Sequence, residues 1–340
     1  MITCEKLYER LSKIQIDSPL CEYTLERCRA IAPVIENILR LKAEKNAIVL
    51  AHSYVHPDIV YGVADVVGDS YGLSLAAKKT SADIIVFPSV RFMAETAKIL
   101  NPDKTVIDPN PNGGCSLADS ISAEEVVRLR AKYPEHTFVC YINTTAAVKA
   151  ACDVCVTSSN IYRILEQIPN DKIYFLPDRL MGENARNWLE KRGVHKELAI
   201  YDGTCYVHEQ IEPEFVDAMR RQYPDAIVIA HPECKPEVVA KADLVGSTTD
   251  MLRYVSENKE LNNPFLLLTE CGVASRAAAE IPQARLIGGC TLCRYMRANS
   301  LTSIEQALQN PTPTQIVEIE PAIQEQARKT IERMFLYAEK

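Results

Sequence analysis

The sequence predicts an α/β chain of tandem domains with short parallel sheets, and three observations carry that prediction. Cys115, Cys205 and Cys293 each follow a short apolar run and a Gly-containing loop, in KTVIDPNPNGGC, ELAIYDGTC and ARLIGGCTLC. Their spacings, 205 − 115 = 90 and 293 − 205 = 88, are nearly equal. Other pairs keep the same period: Tyr133-Pro134 and Tyr223-Pro224, DVCVTSSN (153–160) and DLVGSTTD (243–250), KIYFLPD (172–178) and PFLLLTE (264–270). Such a period exceeds a solenoid unit and is near the size of a small domain, which predicts tandem duplication of one α/β unit. The expected units are 1–122 with a helical lead-in, 123–212, and 213–340 with a terminal helix packed back on the body.

Residues 1–45 read as helical and amphipathic, with Leu, Ile and Val at three and four spacings in TLERCRAIAPVIENILRLKAEKN. NAIVLAHSY (46–54) is a buried strand ending in polar residues, with His52 and Tyr54 on one side. Gly68-Asp69-Ser70 leads into a helix that Ser70 is expected to cap, with anion binding as its second role. DIIVFPSV (83–90) reads as the second strand and KTVIDP as the third. The second unit runs through VCYINTT, VCVTSSN, IYFLPDR and ELAIYDGTC; the third through IVIAHPE, LVGSTT, FLLLTE and RLIGGC. Beyond Cys293, SLTSIEQALQ is a helix capped by Thr302 or Ser303, and Pro321 opens the last helix with Ile323, Ala327, Ile331 and Met334 on one face. Small polar residues finish most strands, and in open parallel sheets ligands bind at those ends. Three sheets facing one centre would gather them around one cavity.

At 340 residues the chain is long enough for two or three cores. A formal charge of −7 leaves no basic surface for nucleic acid or anionic lipid. The N-terminal MITCEKLYERLSKIQIDSPL has scattered charges and no apolar core, and runs such as FLLL are far too short to span a bilayer. A cytoplasmic protein is expected.

In that compartment twelve cysteines do not form a disulfide framework. Cys140, Cys152, Cys155, Cys234 and Cys271 lie in or beside apolar segments and read as small core hydrophobes. Cys4, Cys21 and Cys28 carry no pattern. Three thiolates from three loops bind zinc or an iron–sulfur cluster, or stay unliganded; one Cys per repeat fits a central cluster best. Three ligands leave one iron open for Lewis-acid chemistry, whereas pure electron carriers normally use four. His231-Pro232-Glu233 offers an imidazole and a carboxylate at a strand end, suited to proton transfer. His208 either donates to a cluster or caps a turn, and His56, His136 and His195 read as solvated or structural.

Taken together, LAHSY (50–54), VADVVGDS (63–70), RFMAETAKILNP (91–102), YINTT (141–145), TSSN (157–160), PDRLMG (177–182), GTCYVHE (203–209), HPEC (231–234), LVGSTT (244–249), LLTECG (267–272) and CRYMRANSL (293–301) resemble the quinolinate synthase family over about residues 45–340. The resemblance implies three αβα sandwich domains about a pseudo-threefold axis, with a 4Fe-4S cluster held by Cys115, Cys205 and Cys293. It implies a transferase of NAD biosynthesis that condenses iminoaspartate with dihydroxyacetone phosphate to quinolinate, losing phosphate and two waters, with functional coupling to the enzyme that supplies iminoaspartate. By motif match, His52, Ser70, Tyr141, Asn143, Ser158 and Thr248 would hold substrate, and His231, Glu233 and Tyr54 would serve catalysis. Tyr206 stands where members commonly have Pro, and Cys290 is either a partner that pairs reversibly with Cys293 under oxidation or a plain thiol in a Gly-rich turn. The competing readings are a zinc-stapled binding protein and an iron–sulfur hydro-lyase acting on other hydroxy acids.

Overall fold

A computed structural model describes residues 4–14 and 22–339 and contains three four-stranded sheets. The first holds β1 (Ala47–His52), β2 (Val66–Gly68), β3 (Ile84–Val86) and β4 (Thr105–Ile107). The second holds β5 (Thr137–Tyr141), β6 (Val154–Val156), β7 (Lys172–Leu176) and β8 (Glu197–Ile200). The third holds β9 (Ile227–Ala230), β10 (Leu244–Val245), β11 (Phe265–Leu268) and β12 (Leu286–Ile287). Each sheet is wholly parallel, with its second strand outside the first and its third and fourth on the other side. The fold is α/β, as expected. The strands are apolar runs because helices cover the faces of a parallel sheet: Val49, Leu50 and Ala51 of β1 have no exposed surface, nor do Phe138, Val139 and Cys140 of β5.

One polar device recurs in all three sheets. An Asp just before the second strand accepts a backbone N–H of the first strand: Asp65 from Val49 (2.7 Å), Asp153 from Phe138 (2.8 Å) and Asp243 from Val228 (2.8 Å). Each Asp also pairs with a cation on the helix that precedes the first strand of its sheet, namely Lys42, Arg130 and Arg220. The carboxylate satisfies a donor that the short second strand does not reach, so strand entry is fixed in the same way three times.

Several local expectations are corrected. β2 is a strand, so DIIVFPSV supplies the third strand in chain order and not the second. The helix Ser70–Lys79 is capped by Asp69, whose carboxylate accepts the Gly72 N–H at 2.8 Å, leaving the Ser70 hydroxyl free of the cap. Both residues cap well, and the one first in sequence took the position. The helix Leu301–Gln309 is capped by Ser300, with Ser303 closing a capping box; Thr302 lies inside the helix.

The ends of the chain tie the units together. Helix Cys4–Leu11 packs on helices Leu25–Glu44, Pro57–Gly62 and Gly272–Glu280, and so reaches the third unit as well as the first. Cys21 and the stretch 15–20 of the expected lead-in lie outside the described residues. Helix Pro321–Ala338 packs on helices Arg91–Leu100, Ala146–Ala150 and Ile161–Gln167 and on β6. The helix thus touches elements of the first two sheets' layers, and its Ile331 is fully buried. Ile331→Ala is expected to lower unfolding free energy by about 2–5 kcal/mol, the usual range for emptying a packed site; a denaturant midpoint unchanged from wild type would mean that the helix is not docked. Among the described residues, no helix is long and apolar enough to cross a membrane.

Candidate active site

Each of the four strand ends carries a polar or thiol side chain at a corresponding place in all three sheets. At the ends of the first strands stand His52 and Tyr54, Tyr141 and Asn143, His231 and Glu233, with spacings 141 − 52 = 89 and 231 − 141 = 90. After the second strands stand Ser70, Ser158 and Thr248; after the third, Ser89, Asp178 and Glu270; after the fourth, Cys115, Cys205 and Cys293. Strand order reverses between the first and third strands, where crossovers leave in opposite directions and open a crevice. Three such crevices meet in one chamber. It is lined by every residue expected at the site: His52, Tyr54, Ser70, Cys115, Tyr141, Asn143, Ser158, Cys205, His231, Glu233, Thr248 and Cys293.

A hydrogen-bonded chain runs across the chamber between repeats. Tyr54 OH and Thr269 Oγ1 are 2.7 Å apart, Thr269 Oγ1 lies 3.0 Å from His208 Nε2, and His208 Nδ1 lies 3.0 Å from Glu233 Oε2. Tyr141 OH donates to the other Glu233 oxygen at 2.6 Å. His208 also stacks on His231, with ring centroids 4.6 Å apart. The expectation left His208 between donating to a cluster and capping a turn; the structure puts it at the junction of this chain, 3.3 Å from Cys205 Sγ. Its placement one helical turn after Cys205 was the available signal, since positions three apart share a face.

His52 and His231 use the same local geometry. In each, ring Nδ1 accepts the backbone N–H two residues on, from Tyr54 at 3.2 Å and from Glu233 at 3.3 Å. With Nδ1 occupied as acceptor, the proton of the neutral ring sits on Nε2. Burial, assisted by Arg276 for His52 and by His208 for His231, pulls both rings down to about 3. Burial opposes ionisation of Glu233 as well, but His208, Tyr141 and His231 outweigh it and hold the carboxylate below its usual range. Burial and the nearby Glu233 charge push the Tyr54 and Tyr141 hydroxyls up, so both stay protonated.

These shifts have a sign in stability. The unfolded chain protonates its histidines near pH 6.5, whereas the folded chain refuses the two protons until about 3. The unfolded state therefore binds more protons in that window, and stability falls as pH drops through it, by at most ~1.4 kcal/mol per pH unit for each ring. The depressed Glu233 works in the same direction. Urea midpoints measured at pH 7.5 and 4.5 should fall with pH, and the fall should be smaller in His231→Asn; equal midpoints in wild type would mean that both rings are solvated.

Polar atoms without partners face the same space. Asn143 Oδ1 and Thr248 Oγ1 are buried with no hydrogen bond to any described residue, which suits them to a ligand. Lys149, fully buried, donates to the carbonyls of Ile142 (2.8 Å) and Thr144 and so fixes the turn on either side of Asn143. Ser70 and Thr248 are the first residues of ten-residue helices, whose N-termini favour anions.

The three thiols share one setting. Each Cys stands at or three residues before a single helical turn (118–120, 206–209 and 296–298), with the backbone N–H groups of the following residues turned toward the sulfur and partly offsetting the burial that raises the thiol. Burial pushes the Cys115 thiol up to about 12 and raises the other two, so an empty thiol keeps its proton until a metal replaces it. Glycines let these loops close. A Cβ on Gly114 would meet Asp119 Oδ2 at 2.7 Å, the oxygen that accepts the Cys115 N–H; one on Gly203 would meet the Pro177 carbonyl at 2.6 Å. Three sulfurs with backbone donors at the wall of one buried chamber are a donor set that fits an iron–sulfur cluster, and no fourth Cys lines the chamber among the described residues.

Contacts that the sequence did not reveal brace the thiol loops. Glu270, fully buried, accepts the N–H of Gly272 at 2.5 Å and of Cys293 at 3.3 Å, and pairs with Arg297. Tyr206 OH accepts the Arg294 N–H at 2.7 Å, joining the second Cys loop to the third. The sequence leaves Cys290 between reversible pairing with Cys293 and a plain thiol in a Gly-rich turn, and Cys271 was expected to be a core thiol; instead Cys271 and Cys290 form a disulfide. The bridge between Glu270 and Thr291 brings the two chain segments side by side, and Cys293 points into the chamber.

Comparison with known proteins agrees with this geometry. The family described as Quinolinate synthetase A protein matches residues 36–336. The chain is similar to Quinolinate synthase 2 of Mesorhizobium japonicum, 44% identical over 305 residues that cover 90% of this chain and 91% of that one. It is 40% identical over 333 residues to the Quinolinate synthase of Agrobacterium fabrum, covering 98% and 92%. With the Quinolinate synthase of Gloeothece citriformis it shares 44% over 302 residues, covering 86% and 90%. The match spans all three sheets and every chamber residue named above, and the chain belongs to the quinolinate synthetase A protein family.

Proposed function

We propose that this chain is a quinolinate synthase that condenses iminoaspartate with dihydroxyacetone phosphate, releasing inorganic phosphate and two waters. The observation that carries the reading is the meeting of Cys115, Cys205 and Cys293 with an acid–base chain in one buried chamber. When bound by these three thiolates, a 4Fe-4S cluster supplies an iron with a vacant position, a Lewis acid for loss of water.

The residues divide the remaining work. Ser70, Ser158, Thr248 and Asn143 hold the carboxylates and phosphate of the two substrates, through hydroxyls, the Asn143 amide and the helix N-termini of Ser70 and Thr248. His52 and His231 present Nε2–H to substrate oxygens as neutral donors. Glu233 is the base, receiving a proton through Tyr141 or His208, and Tyr54 returns one through Thr269. The overall charge of −7 does not repel the anionic substrates decisively, because the chamber's N–H and O–H dipoles point inward at short range.

The experiment is product analysis. Anaerobic protein given iminoaspartate and dihydroxyacetone phosphate should form quinolinate and phosphate in equal amounts. Phosphate without quinolinate, or neither, would sink the reading. A zinc-stapled binding protein would be colourless and inert, and a hydro-lyase would turn over hydroxy acids instead.

A further inference from the structure

We propose that the chain, when it carries no cluster, binds one zinc-class divalent cation through Cys205 Sγ, His208 Nδ1 and Glu233 Oε2. The donors are already gathered: Sγ and Nδ1 are 3.3 Å apart, Nδ1 and Oε2 are 3.0 Å apart, and all three atoms lie within 4.8 Å of one another. Zinc bonds of about 2.3 Å to sulfur and 2.0–2.2 Å to nitrogen and oxygen give ligand separations of roughly 3.3–3.6 Å in a tetrahedron. The two separations made by His208 Nδ1 thus stand within about half an ångström of a zinc shell, and Cys205 Sγ and Glu233 Oε2 need only close on a cation seated between them.

Outer contacts are also in place. His208 Nε2 is hydrogen-bonded to Thr269 Oγ1 at 3.0 Å, which fixes the ring with Nδ1 toward the cation. The Glu233 oxygen not used is held by Tyr141 OH at 2.6 Å. One sulfur, one nitrogen and one oxygen leave the fourth position open to the chamber, as in catalytic zinc sites. Binding releases the Cys205 thiol proton and leaves the ring proton of His208 on Nε2, facing Thr269, with no change of oxidation state.

Cys205 serves both centres, so cation and cluster exclude each other. Zinc is therefore a competitor during cluster assembly, and the chain without a cluster is its target. This inference does not rest on quinolinate formation; it stands or falls on metal binding alone.

The test uses the full chain stripped of iron and sulfide under anaerobic conditions, titrated with zinc against a chromophoric chelator. One zinc per chain is expected. His208→Asn and Glu233→Gln should each weaken binding about 100-fold or more, beyond the 10–100-fold typical of losing an outer contact. Cys115→Ser and Cys293→Ser should leave the affinity within about twofold, since neither sulfur belongs to the shell. Cobalt(II) in the wild-type chain gives a check free of folding defects: tetrahedral visible bands with charge transfer from one thiolate are expected. Protein that holds its cluster should take up no zinc here, and zinc-loaded protein should resist reconstitution with iron and sulfide until chelator is added. Equal loss of zinc in Cys115→Ser or Cys293→Ser, or a cobalt spectrum with three thiolates, would overturn the proposal, as would absence of stoichiometric binding.

Discussion

Glu233→Gln is expected to lower kcat by about 10²–10⁴-fold, the range for loss of a positioned acid or base, while iron and sulfide content stays at the wild-type level. Gln keeps the shape and an acceptor for Tyr141 but carries no charge and cannot take a proton. Both carboxylate oxygens are engaged, by Tyr141 OH at 2.6 Å and by His208 Nδ1 at 3.0 Å, so the effect is specific to charge and proton affinity. KM should move by less than about tenfold, because the groups proposed to hold substrate, Asn143, Ser158 and Thr248, are separate side chains. Steady-state kinetics with an iron assay on the same sample checks this. A variant with normal kcat would remove Glu233 from the chemistry, and one without iron would reassign it to support of the centre.

Cys205→Ala should have the larger effect on the metal centre. Cluster content is expected to fall from about four irons and four sulfides per chain to less than about one, with quinolinate formation lost below detection. The same is expected of Cys115→Ala and Cys293→Ala, whose sulfurs occupy equivalent turns. Cys290→Ala should retain the cluster, because Cys290 is bonded to Cys271 outside the chamber. Visible absorbance and iron content distinguish the two groups. Cluster loss in Cys290→Ala but not in Cys293→Ala would reverse the ligand assignment.

The larger architecture could be read in the sequence because duplication leaves a regular record. Thiol loops, Tyr-Pro turns and polar strand ends returned every ninety residues or so, and a groove at strand ends follows from parallel topology. The chamber residues could be read for the same reason: each was the polar end of an apolar run. What escaped depends on distances between repeats. The Tyr54–Thr269–His208–Glu233–Tyr141 chain draws on three units, and sequence separation says nothing of it. β2 escaped because three half-buried residues, Val66 to Gly68, give too little periodicity. The Asp69 and Ser300 caps were misplaced among neighbouring residues of equal capping ability. Cys271 and Cys290 meet only because β11 and β12 are adjacent strands, a pairing that their spacing of 19 does not reveal.

Iron and acid-labile sulfide counted per chain in anaerobically prepared protein address the central claim most directly, namely that three remote thiols converge on one cluster with an open iron. About four of each per chain are expected. One zinc per chain with no sulfide, in protein that nevertheless forms quinolinate, would contradict the account.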